Sequence, residues 1–92
     1  MARITVERPH NLGREAALDK AELLAERLAR EYDVHYQWRG DTLEFKRSGA
    51  NGHIDVGEER VYLQLDLGLL LSTMSGKIKR EIEEVLDKSL KA

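Results

Sequence analysis

Between Arg3 and Glu7 apolar and polar residues alternate, Ile4 and Val6 on one side and Arg3, Thr5 and Glu7 on the other, which is the period of a half-buried strand. Pro9 is expected to end it. From Leu12 the period changes, and Ala17, Leu18, Ala21, Leu24, Ala25, Leu28 and Tyr32 recur in steps of three and four, predicting an amphipathic helix to about Tyr32 with Asn11 as its N-cap. Alternation then returns. Val34, Tyr36 and Trp38 oppose His35, Gln37 and Arg39, and Gly40-Asp41 supplies turn residues before a strand from Thr42 to about Arg47. Ser48 to Gly52 reads as a second turn, Ile54 and Val56 mark a short strand, and Gly57-Glu58-Glu59 leads into a last one carrying Val61, Leu63, Leu65 and Leu67. Leu71, Met74, Ile78, Ile82, Val85 and Leu86 keep one helical phase, so a continuous helix is predicted from about Leu69 to Leu90. Gly76 lies inside it, where a small residue would let the helix approach the sheet.

Collected together, the apolar sides of the five strands form one face: Ile4, Val6, Val34, Tyr36, Trp38, Leu43, Phe45, Ile54, Val56, Val61, Leu63, Leu65 and Leu67. The other face is nearly all polar. The expected fold is therefore α+β, a single five-stranded antiparallel sheet with two helices packed on one face in the order β-α-β-β-β-β-α, resembling a small helix-grip. Hairpin connectivity places the last strand beside the first, giving the order 1-5-4-3-2. That order leaves the strand from Val34 to Arg39 at an edge, where a second copy could pair to make a homodimer.

Composition narrows the function. The 92 residues suit one domain, 1–92, and 41% apolar with 35% charged residues is the content of a soluble globule. A domain of this size has little interior to spare for a deep cavity. With no cysteine, burial alone must hold the fold. The longest apolar run, Leu67 to Leu71, is far short of a membrane span, and the first residues have no signal-like apolar region, so a cytoplasmic location is expected. A net charge of −2 argues against a nucleic-acid partner. Arg39, Lys46 and Arg47 with Tyr62 are the local exception, and Glu44, Asp55 and Asp66 on the same face offset them.

Candidate chemistry is sparse. His10, His35 and His53 are too far apart in sequence to form a metal-binding pair, and His10 is expected to make a local turn or capping contact. His35 and His53 share the polar sheet face with Asp55, the residues an acid–base enzyme would use, but a flat solvated sheet cannot keep water from a reaction. Ser48, Ser72, Ser75 and Ser89 lack a nucleophile-elbow setting, and Gly76-Lys77 fails the P-loop spacing because Leu71 and Ile78 stand where Gly and Ser or Thr are needed. No catalytic, metal or cofactor-binding residue is therefore assigned, and an enzyme is not expected. Leu69-Leu70-Leu71 with Met74 exceeds what one helical stripe needs, since neighbours point about 100° apart. Either Leu70 and Leu71 cover the sheet end near Tyr36 or Trp38, or Leu69, Leu70 and Met74 form an adhesive patch.

Particular residues also resemble a known family. Ile4-Thr5-Val6, His10-Asn11-Leu12-Gly13, the alanine-rich helix, Trp38-Arg39-Gly40-Asp41 and Phe45-Lys46-Arg47-Ser48-Gly49 are similar to the polyhydroxyalkanoic acid system family, as are Gly52, Ile54, Val56, Leu67-Gly68 and Leu70-Leu71. The resemblance spans essentially the whole chain. It implies a small bacterial protein, encoded near polyhydroxyalkanoate synthesis and granule-protein genes, with a part in cytoplasmic polyester-granule metabolism. It implies no catalytic residues. The expectation is a non-enzymatic accessory or regulatory protein that binds the polyhydroxyalkanoate granule or its proteins through Leu69, Leu70 and Met74. The alternative is a helix-grip module holding an acyl or hydroxyacyl group between helix and sheet, lined by Tyr36, Trp38, Phe45 and Ile78.

Overall fold

The structure is a computed structural model that describes residues 2–90. The strands are β1 (Ala2–Pro9), β2 (His35–Arg39), β3 (Thr42–Arg47), β4 (Ala50–Val56) and β5 (Arg60–Leu67), and the helices are α1 (Arg14–Tyr32), α2 (Leu69–Ser72) and α3 (Ser75–Ser89). The five strands form one antiparallel sheet in the order β1-β5-β4-β3-β2, as hairpin connectivity predicts. α1 and α3 cover one face, so the fold is α+β.

The core is the one the alternation marks. Ile4, Val6, Leu43, Phe45, Ile54, Val56, Val61, Leu63, Leu65 and Leu67 are buried against Leu24, Leu28, Ile78, Ile82 and Leu86. Ala17, Ala21 and Ala25 are also buried, and their small side chains let α1 lie close to the sheet. Tyr36 and Trp38, on the edge strand, stay half-buried.

Several boundaries differ from the sequence reading. Pro9 continues β1 and stands opposite Arg60, because its position is on an edge strand where the missing N–H is not needed. Gly13, not Asn11, caps α1: its φ of 85° brings the chain in with no side-chain cap, and its carbonyl accepts from Ala17 N–H at 3.1 Å. The second turn contains only Ser48 and Gly49, and Ala50 to Gly52 belong to β4. Gly52 is there for closeness, since a Cβ would sit 2.1 Å from the Gln64 carbonyl oxygen on β5, with Phe45 filling the opposite position on β3. Gly76 does the reverse of what its size suggests: a Cβ there would meet nothing within 4 Å, so it mediates no close packing.

The long second helix is broken in two. The hydroxyl of Ser72 donates to the Gly68 carbonyl at 2.7 Å and that of Thr73 to the Leu70 carbonyl at 3.0 Å. Met74 N–H bonds to Leu71 O at 2.9 Å, which closes the turn one residue early. α3 then restarts from Met74, whose carbonyl accepts from Ile78 N–H, and packs across the sheet toward β1.

Candidate functional site

The break in the helix decides which leucines are covered. Gly68 N–H donates to Gly49 O at 2.7 Å, pinning the end of β5 to the β3–β4 turn, and a Cβ on Gly68 would come within 3.3 Å of Gly49. From that anchor α2 makes a single turn that points Leu71 inward. Leu69 and Leu70 are left 80% and 89% exposed. Leu71 packs beside Ala50 and Leu67, not near Tyr36 or Trp38, so the cover proposed for Leu70 at that end of the sheet does not form. Met74 is half-buried and faces an open groove of about 690 Å³ between α1 and α3.

That groove has a polar floor built from distant parts of the chain. Tyr32 Oη donates to Glu81 Oε1 at 2.8 Å, Arg27 lies 3.2 Å from Glu31 and 3.7 Å from Glu81, and Arg47 donates to the Tyr32 carbonyl. Burial and the adjoining Glu81 carboxylate push the Tyr32 hydroxyl well above its ordinary range. The hydroxyl of Tyr32 donated to Glu81 and the Arg27 guanidinium nearby favour the ionised form of Glu81 against the cost of its burial. Sequence reading missed this cluster, since no local spacing links Arg27, Arg47 and Glu81.

The acyl-lining residues are not brought together. Phe45 and Ile78 border the same apolar void beneath Leu71, but Tyr36 and Trp38 do not. Trp38 instead donates its indole N–H to Glu22 of α1 at 2.6 Å. The void is about 10 Å³, room for one water at most and none for an acyl chain. Leu24, Leu28 and Leu43 are buried in the same core.

On the polar face His53 Nε2 lies 3.4 Å from Asp55 Oδ2, and Asp55 also accepts from Thr42 at 2.8 Å. Among the described residues no three His, Asp or Glu side chains converge as a metal site. His10 is 8% exposed and acts as a structural bridge: its Nδ1 accepts from Leu12 N–H at 3.2 Å, so its Nε2 carries the proton donated to Gly57 O at 3.0 Å. The expected local contact is present, and it also reaches the β4–β5 turn.

Comparison with known proteins gives one family and a fold. Residues 4–90 match the model of the polyhydroxyalkanoic acid system protein family. No curated protein sequence matches. The solution structure of PA4090 from Pseudomonas aeruginosa superposes with a TM-score of 0.62 at 10% identity, covering 100% of this chain and 88% of that one. The crystal structure of TTHA0849 from Thermus thermophilus gives 0.43 at 17% identity, covering 97% and 94%.

Proposed function

Because the chain belongs to the polyhydroxyalkanoic acid system protein family, we propose that it is a non-enzymatic, cytoplasmic accessory protein of polyester granules, attaching to the granule surface or its proteins through Leu69 and Leu70. The observation that carries this reading is the exposure of both leucines on a turn whose backbone is tied down by Gly49, Ser72 and Thr73. A rigid turn presents apolar side chains without the entropy loss that ordering a loop would impose. Burying each leucine is worth roughly 1.5–3 kcal/mol, so the pair supplies about 3–6 kcal/mol. That corresponds to weak, reversible attachment, in the range of about millimolar for one turn alone and stronger where copies act together. Met74 adds apolar surface at the flank.

Sedimentation with polyhydroxyalkanoate particles tests this, using bare particles and particles carrying granule proteins to separate the two surfaces. Leu69→Ser/Leu70→Ser is expected to lower the bound fraction at least about tenfold, from the loss of some 3 kcal/mol of burial. Leu23→Ser, which removes another exposed leucine from the outer side of α1, is expected to leave it unchanged. Equal sedimentation of the double variant and the unaltered chain on both surfaces would overturn the reading.

A further inference from the structure

We infer that the β2 edge pairs with the same edge of a second copy, antiparallel and centred on Gln37, joining two sheets into one. The phase of the hydrogen bonds identifies what β2 has left to offer. Val56 N–H donates to Asp41 O at 3.0 Å, so the odd residues of β3 bond to β4, and its even residues, Thr42, Glu44 and Lys46, bond to β2. Their partners are Arg39, Gln37 and His35. The β2–β3 hairpin agrees, because Gly40 alone has positive φ, 59°, in a two-residue type II′ turn closed by Arg39 and Thr42. Tyr36 and Trp38 therefore turn their N–H and C=O groups away from the sheet.

Only one self-pairing uses all of these groups. Centring it on Gln37 places Tyr36 opposite the second copy's Trp38 and Trp38 opposite its Tyr36. Each is then a hydrogen-bonded pair that exchanges two bonds. A register centred on Tyr36 would set Trp38 against Val34, before the strand begins, and one centred on Trp38 would set Tyr36 against Gly40 in the turn. The side chains fit the same register. Tyr36 and Trp38 lie on the helix side of the sheet, so the pairing adds two tyrosine–tryptophan contacts there, and Gln37 meets its own copy on the polar side.

β2 carries few guards against this pairing. The strand HYQWR is short but holds no Pro or Lys, its one arginine, Arg39, lies 3.0 Å from Glu44 of its own sheet, and its inward positions are aromatic, not charged. Glu22 and Glu26 of α1 stand beside Trp38 and Tyr36, and the carboxylates of the two copies would approach each other. The dimer is accordingly weak and is strengthened by salt, which screens that repulsion. This contact lies on β2 and does not depend on the leucine turn.

The cysteine-free sequence makes the test direct. Residues at the centre of such a pair are a non-hydrogen-bonded couple about 4.5 Å apart at Cα, within disulfide reach. Under mild oxidation Gln37→Cys is expected to form a covalent dimer at least about tenfold faster than His35→Cys, an exposed control on the same strand whose two copies would not meet. In the unaltered chain the amides of Tyr36 and Trp38 are expected to gain exchange protection as concentration rises to about 1 mM, a range suited to a weak interface. If Gln37→Cys reacts no faster than His35→Cys and those amides exchange at a rate independent of concentration, the inference is wrong.

Discussion

β1 and β2 are the two edges of the same sheet, and they are finished differently. His10 N–H bonds to Glu59 O at 2.8 Å, so the even residues of β1 face β5, and Arg3, Thr5, Glu7 and Pro9 present their backbone outward. Pro9 has no N–H to leave unpaired. Arg8 reaches α3, with Nε 2.8 Å from Asp87 and Nη2 3.2 Å from Glu83. The strand ends in the His10 bridge. Among the described residues β2 has one side-chain hydrogen bond to α1, from Trp38 to Glu22, and its outward groups belong to two aromatic residues. β1 is thus anchored by a few residues whose partners are remote in sequence, while Arg3, Thr5 and Glu7 still present their backbone outward, and the polarity of the strand itself does not show such anchoring.

The anchored edge should be the costly one to break. His10→Ala removes both ring hydrogen bonds and leaves Leu12 N–H and Gly57 O without their partner in a nearly buried site. Each such group costs about 1–3 kcal/mol, so a loss of roughly 2–6 kcal/mol in urea unfolding is expected. A change below about 0.5 kcal/mol would show that the bridge does not secure β1. Arg8→Ala comes next. Its side chain is 31% exposed, and solvent screening limits the two ion pairs to roughly 1 kcal/mol together. Molar salt should reduce the difference between Arg8→Ala and the unaltered chain, whereas the effect of His10→Ala, between uncharged groups, should persist.

The contrast explains what the sequence made legible. Ile4 with Val6, Leu43 with Phe45 and the run from Val61 to Leu67 read as strands because each has one wet and one dry side, and short hairpins then left little freedom in their order. The break at Thr73 and Met74 was hidden because Leu71, Met74, Ile78 and Ile82 keep a helical phase across it, and the hydroxyl contacts that close the turn leave no periodic trace. Gly52 has the sequence signature of a turn residue, but its place is set by the β5 backbone lying where its Cβ would be. The exposed Leu69 and Leu70 were visible as an excess of apolar residues, but which of the three leucines turned inward depended on the Gly68–Gly49 contact. The Tyr32, Arg27 and Glu81 cluster and the second contact of His10 were invisible for a common reason: each joins residues that only the completed fold brings together.

At the β2 edge the expected effect is about the size of that for Arg8→Ala. Trp38→Phe keeps an aromatic body against the core and removes only the indole donor to Glu22. The bond is charge-assisted but half-exposed, so its loss should cost about 0.5–1.5 kcal/mol. What matters is where the loss falls. If β2 is held to α1 mainly by this contact, amide exchange should accelerate in β2 and in the facing residues of β3 while β1 and β5 are unaffected. A uniform acceleration across all five strands would mean that the edge opens only when the whole sheet unfolds, and the two edges would then be equally secure despite their different construction.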